Sequence, residues 1–489
     1  KPIFEFTCVY SKILEDPMRD YQPIENYGVI GDQNTVALVG LNGSIDFMCF
    51  PEFDSPTIFA AMLDVNKGGY FQIEAAHGDV KHKQMYIPDT NILLTRYLSF
   101  EGVGEIVDFM PVEEIRTSNV LARRIRNIRG NTTYQMNCCP RFNYARSTHT
   151  ATQPNPNEII FASNDESGLV LRLTSTVPIQ LKEGDAFAEF TLKEGNKADF
   201  MLEQYDANHP NRGDISAYID KTLIETINYW KAWIGKSKYN GRWREIINRS
   251  ALVLKLLTSH KYGSIVAAPT FSLPEEIGGS KNWDYRYNWI RDTAFTLYAL
   301  IRLGYTKEAG AFIDWLQKRC CDINHPGKLN LMYALNGTKD LKEIELTHLE
   351  GYRKSGPVRI GNGAYQQLQL DIYGELMDSI YLYNKYGEMI SYDFWNAIAG
   401  QIDWLCDNWQ RPDNGIWEIR EGMQHFLYSE LMCWVAVDRA IRLAEKRSFP
   451  INKNWVVTRD KIYRSIFEEY YDEKLKTFVQ YKGSNRVDA

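Results

Sequence analysis

Asn282-Trp283-Asp284-Tyr285-Arg286-Tyr287-Asn288-Trp289-Ile290-Arg291-Asp292 runs straight into Thr293-Ala294-Phe295-Thr296-Leu297-Tyr298-Ala299-Leu300, and no further charge follows until Arg302. The second segment reads as a buried helix. The first crowds that helix's N-terminal turn with Trp, Tyr, Arg and Asp. Aromatic faces stack on a sugar ring, while an Arg fork and a carboxylate bond its hydroxyls, so the stretch reads as the floor of a carbohydrate site. A helix entering a core, with Arg291 and Asp292 joined as a structural salt bridge, has the same composition, because pocket and core aromatics look alike in sequence.

Downstream of Gly235-Lys236-Ser237 the periodicity is helical. Helices are expected over about 243–259, 290–303, 307–319, 363–385, 391–409, 427–446 and 454–471, with almost no strand signal. Gln366, Gln369 and Tyr373 would then share one helix face. Upstream, a stripe of Leu223, Ile224, Ile227, Tyr229, Trp230 and Trp233 predicts a linking helix. Before it the pattern is of short strands. Val36-Ala37-Leu38-Val39-Gly40 and Ser44-Ile45-Asp46-Phe47-Met48-Cys49-Phe50 flank an Asn42-Gly43 turn, a strong hairpin signal. Further strands are expected at 68–73, 91–97, 120–125, 158–162, 169–173 and 198–202, a spacing that suits an antiparallel sandwich. The chain thus divides into an N-terminal extension (1–20), a β-sandwich (21–214), a helical linker (215–241) and an all-α domain (242–489).

The bulk numbers exclude some functions. A net charge of −6 with no basic run argues against a nucleic-acid surface, and no apolar run approaches the ~18 residues of a membrane span. The eight cysteines form neither a disulfide framework nor a metal-ligand pattern. Cys138-Cys139 and Cys320-Cys321 are adjacent, and Cys49, Cys406 and Cys433 sit in apolar surroundings. No metal or cofactor is called for. The chain opens on Lys1 without a hydrophobic signal region, which leans toward a cytoplasmic enzyme, although a cleaved signal peptide leaves the same text.

Cleaving a glycosidic bond takes one carboxylic acid to protonate the departing oxygen and one carboxylate to activate water or attack carbon. Asp413-Asn414-Gly415-Ile416-Trp417-Glu418-Ile419-Arg420 is the best candidate site. Asn414-Gly415 makes a tight turn, Trp417 offers a low-dielectric wall that raises a carboxyl pKa, and Arg420, two residues on, opposes it. A Glu–Arg pair closing a loop between helices fits the same residues. In Pro51-Glu52-Phe53-Asp54-Ser55-Pro56, Phe53 and Asp54 either help close a pocket or, the preferred reading, Asp54 only caps a turn.

The 282–292 stretch resembles the signature of the glucoamylase-like glycoside hydrolases, family 15, which includes glucoamylases, glucodextranases and bacterial-type trehalases. The resemblance extends to the sandwich loop 51–56, to the segment 265–275 that runs from Ile265 through Pro269 and Pro274 to Glu275, to 331–337 and 348–352, and to Pro357-Val358-Arg359-Ile360-Gly361-Asn362. It implies a sandwich followed by an (α/α)6 barrel of twelve helices, and about seven helical stripes are countable, so the barrel is expected to be truncated in this chain. It implies Glu418 as the general acid, Arg291 and Asp292 on the hydroxyls of the released glucose, and Tyr285, Tyr287, Trp289 and Trp417 as aromatic walls. Arg359 reads either as a further substrate ligand or as bonding loop carbonyls. No catalytic base is identified: Glu345, Glu350, Glu375 and Glu430 sit in no matching motif. The implied activity is an inverting exo-acting α-glucosidase on malto-oligosaccharide, isomaltose-type or other α-glucosides. A trehalase and a non-catalytic sugar-binding relative are the alternatives. A homo-oligomer or a missing C-terminal half would cover helix faces left open by a partial barrel.

Overall fold

A computed structural model describes residues 19–76, 80–112, 119–206, 212–320, 328–420 and 422–488. Most of the expected extension 1–20 lies outside these residues. The N-terminal half is built from two antiparallel sheets. In the first, Tyr27–Gly31, Val36–Gly40, Ser44–Cys49, Tyr70–Ala75, Thr132–Cys139, Asp185–Leu192 and Gln180–Lys182 lie in that order, and Thr57–Phe59 adds onto Ser44–Cys49. The hairpin forms at Asn42-Gly43 with Leu38 opposite Phe47, and Gly43 takes φ 77°, a conformation glycine adopts at no steric cost.

In the second sheet, His149–Asn155, Glu158–Ser163, Val170–Ser175, Lys197–Gln204, Val120–Gly130, Gly102–Phe109, Leu93–Leu98 and Lys81–Tyr86 are neighbours in turn. Ile45, Phe71 and Ile73 of the first sheet meet Ile106, Leu121, Leu171 and Phe200 of the second in one buried cluster, which makes the pair a sandwich. Several of these strands were not anticipated. Lys81–Tyr86, for example, exposes Lys81 and Lys83 at the sheet edge and carries little apolar signal.

The remaining chain is mainly helical: α1 (Ile215–Ile234), α2 (Arg244–Leu256), α3 (Ile290–Leu303), α4 (Thr306–Cys320), α5 (Asp371–Tyr386), α6 (Tyr392–Asn408), α7 (Leu427–Arg447) and α8 (Lys453–Tyr470). Local chemistry sets their ends. Asp214 caps α1 by accepting from Ser216 N and Ala217 N, and Ser391 caps α6 through Phe394 N. Gly304, at φ 98°, stops α3 in a left-handed turn. Helix α5 packs against both α3 and α7, and α8 packs on α7.

The helix expected over 363–385 starts later than its periodicity suggests. Asn362 caps a single 3-10 turn, Gly363–Gln366, and the chain then runs extended to Leu370 before α5 begins. Gln366 and Gln369 therefore do not share a helix face with Tyr373. The cause is competition for hydrogen bonds: Asn362 donates to Asp284 O, and Gln367 donates to Glu418 O. The helical half also holds short strand pairs that its sequence does not announce, Phe271–Pro274 with Asn282–Asp284 and Asn288–Trp289 with Met332–Tyr333.

Cys49, Cys138, Cys139, Cys406 and Cys433 are free and buried. Cys321 lies outside the described residues. Among those described, no helix is long and apolar enough to cross a membrane.

Candidate active site

The stretch 282–289 is extended, and its side chains alternate between two faces. Asn282, Asp284, Arg286 and Asn288 are fully buried on one face, while Trp283, Tyr285 and Trp289 line a cavity of about 700 Å³ on the other. The backbone is fixed from both sides: Ala267 N and Ala268 N donate to Tyr287 O and Tyr285 O, and Ile290 N donates to Leu331 O. On the buried face Arg286 chelates Asp284 and also donates to Ser55 O (2.8 Å), Cys49 Sγ (3.3 Å) and Tyr144 Oη (3.2 Å). Sandwich loops thus hold the aromatic wall from behind.

After Trp289 the chain turns into α3 and delivers Arg291 and Asp292 to the cavity floor. Arg291 is buried and donates to Gln369 Oε1 (2.6 Å), Asp371 Oδ2 (3.3 Å) and Glu418 Oε1 (3.1 Å). Asp292 faces the cavity, 3.8 Å from Arg291 Nε, and its Oδ2 has no hydrogen-bond partner among the described residues. Burial raises the Asp292 carboxyl above its ordinary range, with Arg291 opposing the rise.

Glu418 comes from the loop between α6 and α7. Gly415 turns the loop at φ 63°, where a Cβ would meet the Phe426 ring at 2.6 Å. Glu418 itself sits at φ 52°, in the left-handed region that non-glycine residues seldom occupy. Contacts on every side hold it there: Glu418 N donates to Gly415 O, Ile419 N to Asn414 O, and Asn414 Nδ2 back to Ile419 O. Such imposed strain is characteristic of functional positions. Its carboxylate accepts from Trp289 Nε1 at 2.7 Å as well as from Arg291.

Beneath the floor the N-terminal ends of α5 and α7 are joined by acids. Asp371, fully buried, receives Arg291; burial raises its carboxyl and Arg291 opposes that. Asp413 accepts from Leu370 N (2.8 Å) and Ser429 Oγ (2.7 Å), and burial pushes it up to about 7. Glu375, bonded by Tyr428 Oη, is likewise pushed by burial to about 7. Glu430 accepts from Tyr470 Oη at 2.7 Å.

Tyr285, Trp289, Arg291, Asp292, Trp417 and Glu418 all line the one cavity. Tyr287 does not: it packs into the core behind the wall. Arg359 does not either. It donates to Ser280 O at 2.7 Å and lies 3.5 Å from Glu343, bonding loop groups rather than facing the cavity. Trp417 is not the low-dielectric wall expected beside Glu418. It is more than half exposed, with its N–H on Asp488, and Trp289 covers the carboxylate instead. Arg420 lines the same cavity as Glu418 but does not pair with it; it pairs with Glu343 and stacks on Trp283, and the cation on Glu418 is Arg291.

Phe53 is buried among Trp230 and Trp233, and Asp54 accepts from Leu335 N (3.4 Å), outside the cavity. Gln369 and Asp371, polar residues near the start of α5, reach the site through Arg291, whereas Glu343 has no signal in the sequence because it acts through Arg420, a partner distant in the chain. A wider cleft of about 1130 Å³ lies along α1, α2 and α4, but its buried acid, Glu308, is committed to Lys255 and Trp233.

A β-sandwich joined to helices, with an acid from a loop, an arginine fork at a helix N-terminus and aromatic walls from an extended stretch around one cavity, has the make-up of a carbohydrate-cleaving site. Comparison with known proteins names the family. The profile of Glycosyl hydrolases family 15 matches residues 241–489, and that of Trehalase-like, N-terminal matches residues 18–184. The trehalase of Thermoplasma volcanium is 35% identical over 488 residues, covering 98% of this chain and 76% of the relative. The trehalase of Mycolicibacterium smegmatis is 35% identical over 497 residues, covering 96% and 73%. A crystal structure of a bacterial glucoamylase complexed with acarbose superposes with a TM-score of 0.69 at 14% identity, covering 97% of this chain and 73% of that one, which shows a shared fold. The chain belongs to glycosyl hydrolases family 15 and is a glycoside hydrolase.

Proposed function

We propose that this enzyme hydrolyses α,α-trehalose to two molecules of glucose. The carrying observation is that relatives named trehalase align at 35% identity through both the sandwich and the helical half. The α-glucan exo-hydrolase favoured by the motifs gives way to this reading, because the signature residues are shared by both activities and the trehalase likeness covers nearly the whole chain.

In this reading Glu418 is the general acid. Trp289 Nε1 and Arg291 donate and cannot accept, so both occupy Oε1 as an acceptor, and the transferable proton belongs on Oε2. Arg291 and Asp292 hold the hydroxyls of the glucose at the floor, Tyr285 and Trp289 form its wall, and Trp417 edges the cavity. Tyr287 and Arg359 support the wall from outside the cavity. Water attacks from the opposite side in a single displacement, with acid and base ~6.5–9.5 Å apart. We assign no base: the acids lining the cavity among the described residues are Glu275, Asp292 and Glu418. The likeness to a glucoamylase supports reading the helical half, from about residue 242, as an (α/α)6-type barrel, with 215–241 as linker and 21–214 as sandwich.

The test is glucose release by the full-length protein on trehalose and on maltose. Trehalose is expected to be cleaved in preference, and Glu418→Gln to lower kcat by ~10²–10⁴-fold with little change in KM. Cleavage of maltose but not trehalose overturns the trehalase reading.

A further inference from the structure

On the side of the cavity that carries Glu418, side-chain exposure rises from 9% at Arg291 through 22% at Glu418 to 42% at Arg420 and 72% at Lys281, while Asp292 beside Arg291 is 45% exposed. A general acid protonates the oxygen between two sugar units. With the retained glucose on the floor, the departing glucose must lie on the mouth side of Glu418. Three groups there are pre-assembled. Arg420 pairs in bidentate fashion with Glu343 (2.8 and 3.2 Å), and its guanidinium stacks on Trp283, 3.7 Å from the ring centroid. Glu343 is itself anchored by Gly363 N at 2.9 Å. Burial works against its ionisation, but the Arg420 hydrogen bond and charge hold its carboxyl below the ordinary range. Two of the five N–H donors of a guanidinium are committed to Glu343, and the others have no partner among the described residues.

We propose that Arg420, stacked on Trp283 and braced by Glu343, binds the hydroxyls of the departing glucose and sets the preference for its disaccharide. The inference rests on the trehalase reading for the identity of that disaccharide, and on the cavity geometry for the position of the wall. Arg420 and Trp283 touch the substrate; Glu343 is a positioning residue that fixes the fork. Lys281 and Glu275, an exposed pair 3.7 Å apart, are too loosely held to give comparable selectivity.

The test compares trehalose with α-D-glucosyl fluoride, whose leaving group is not a sugar and makes no use of this wall. Arg420→Met keeps the aliphatic stem and removes the fork. Its kcat/KM on trehalose is expected to fall about ten-fold or more beyond any fall on the fluoride, chiefly through KM, as charge-assisted hydrogen bonds to hydroxyls are lost. Glu343→Gln is expected to act in the same direction by roughly three-fold, since it loosens the fork without removing it. Turnover of the fluoride reports that both variants are folded. Equal losses on both substrates, or no loss on either, overturn the proposal. If the unmodified enzyme cleaves maltose and not trehalose, the trehalase reading falls alone, and the maltose-to-fluoride contrast in Arg420→Met decides the wall: a selective loss upholds it and parallel losses overturn it. Cleavage of the fluoride but of neither disaccharide overturns both.

Discussion

Arg286 and Arg291 lie five residues apart in one stretch, and their surroundings differ in a way that separates scaffold from site. Arg286 has all five of its N–H donors engaged, on Asp284, Cys49, Ser55 and Tyr144, and is fully buried. Arg291 is almost as buried but engages three donors, on Gln369, Asp371 and Glu418, leaving two next to the unpartnered Asp292 Oδ2. A buried arginine with nothing left to donate fixes structure. One with donors in reserve, facing a cavity, is equipped to bind a ligand. The distinction lies in saturation rather than in burial or charge.

The largest effect should come from breaking the saturated side. Arg286→Met leaves Asp284 buried without its cation and frees the sandwich loops from the wall, at a cost of about 3–5 kcal/mol in stability. Urea unfolding measures it. A loss under about 1 kcal/mol would mean that Arg286 is not the joint between sandwich and site. On the open side, Arg291→Lys keeps a positive charge beside Asp371 but loses the planar fork. About 2–3 kcal/mol of transition-state binding should disappear, roughly 30- to 150-fold in kcat/KM, with a smaller change in unfolding free energy than in Arg286→Met. If the two variants lost stability and activity in the same proportion, saturation would not separate their roles.

How far this division is legible in sequence depends on the range of the contacts. The crowding of Trp, Tyr, Arg and Asp in 282–292 is plain in the sequence, though its extended, alternating backbone is not, and the Asn42-Gly43 hairpin and most of the helices follow from local periodicity. The delayed start of α5 does not, because Asn362 and Gln367 bond to Asp284 O and Glu418 O, groups far away in the chain. Trp417 looks like the wall of the acid because it is its neighbour. Its N–H in fact reaches Asp488, and Trp289, 129 residues from Glu418, takes the place. Arg286 and Arg291 look equivalent in the text; only Ser55 and Tyr144 on one side and the cavity on the other tell them apart. Substrate choice was equally hidden, since the motif that marks the family is common to its activities.

The same contrast extends to the buried acids and supplies the smallest of the expected effects. Asp284 faces a cation, whereas Asp413 is met by neutral donors, among them Leu370 N and Ser429 Oγ. Burial therefore lifts the Asp413 carboxyl to about 7. A carboxyl raised in the folded state favours folding when protonated. Its contribution is full below the unfolded value of about 4 and is lost as pH climbs through the folded value near 7. Glu375, also lifted to about 7, acts in the same direction, so the wild-type fold should weaken steadily from pH 5 to about 6.5, inside the window between the unfolded and folded values, and level off above 7. Asp413→Asn removes one of the two titrations. Whatever its absolute stability, the variant should lose roughly 1–2 kcal/mol less than the wild type across that interval, as followed by urea midpoints at each pH. An unchanged slope would place the Asp413 proton elsewhere and show that a carboxylate can stay ionised in this core without a cation, which would narrow the saturation rule to arginines.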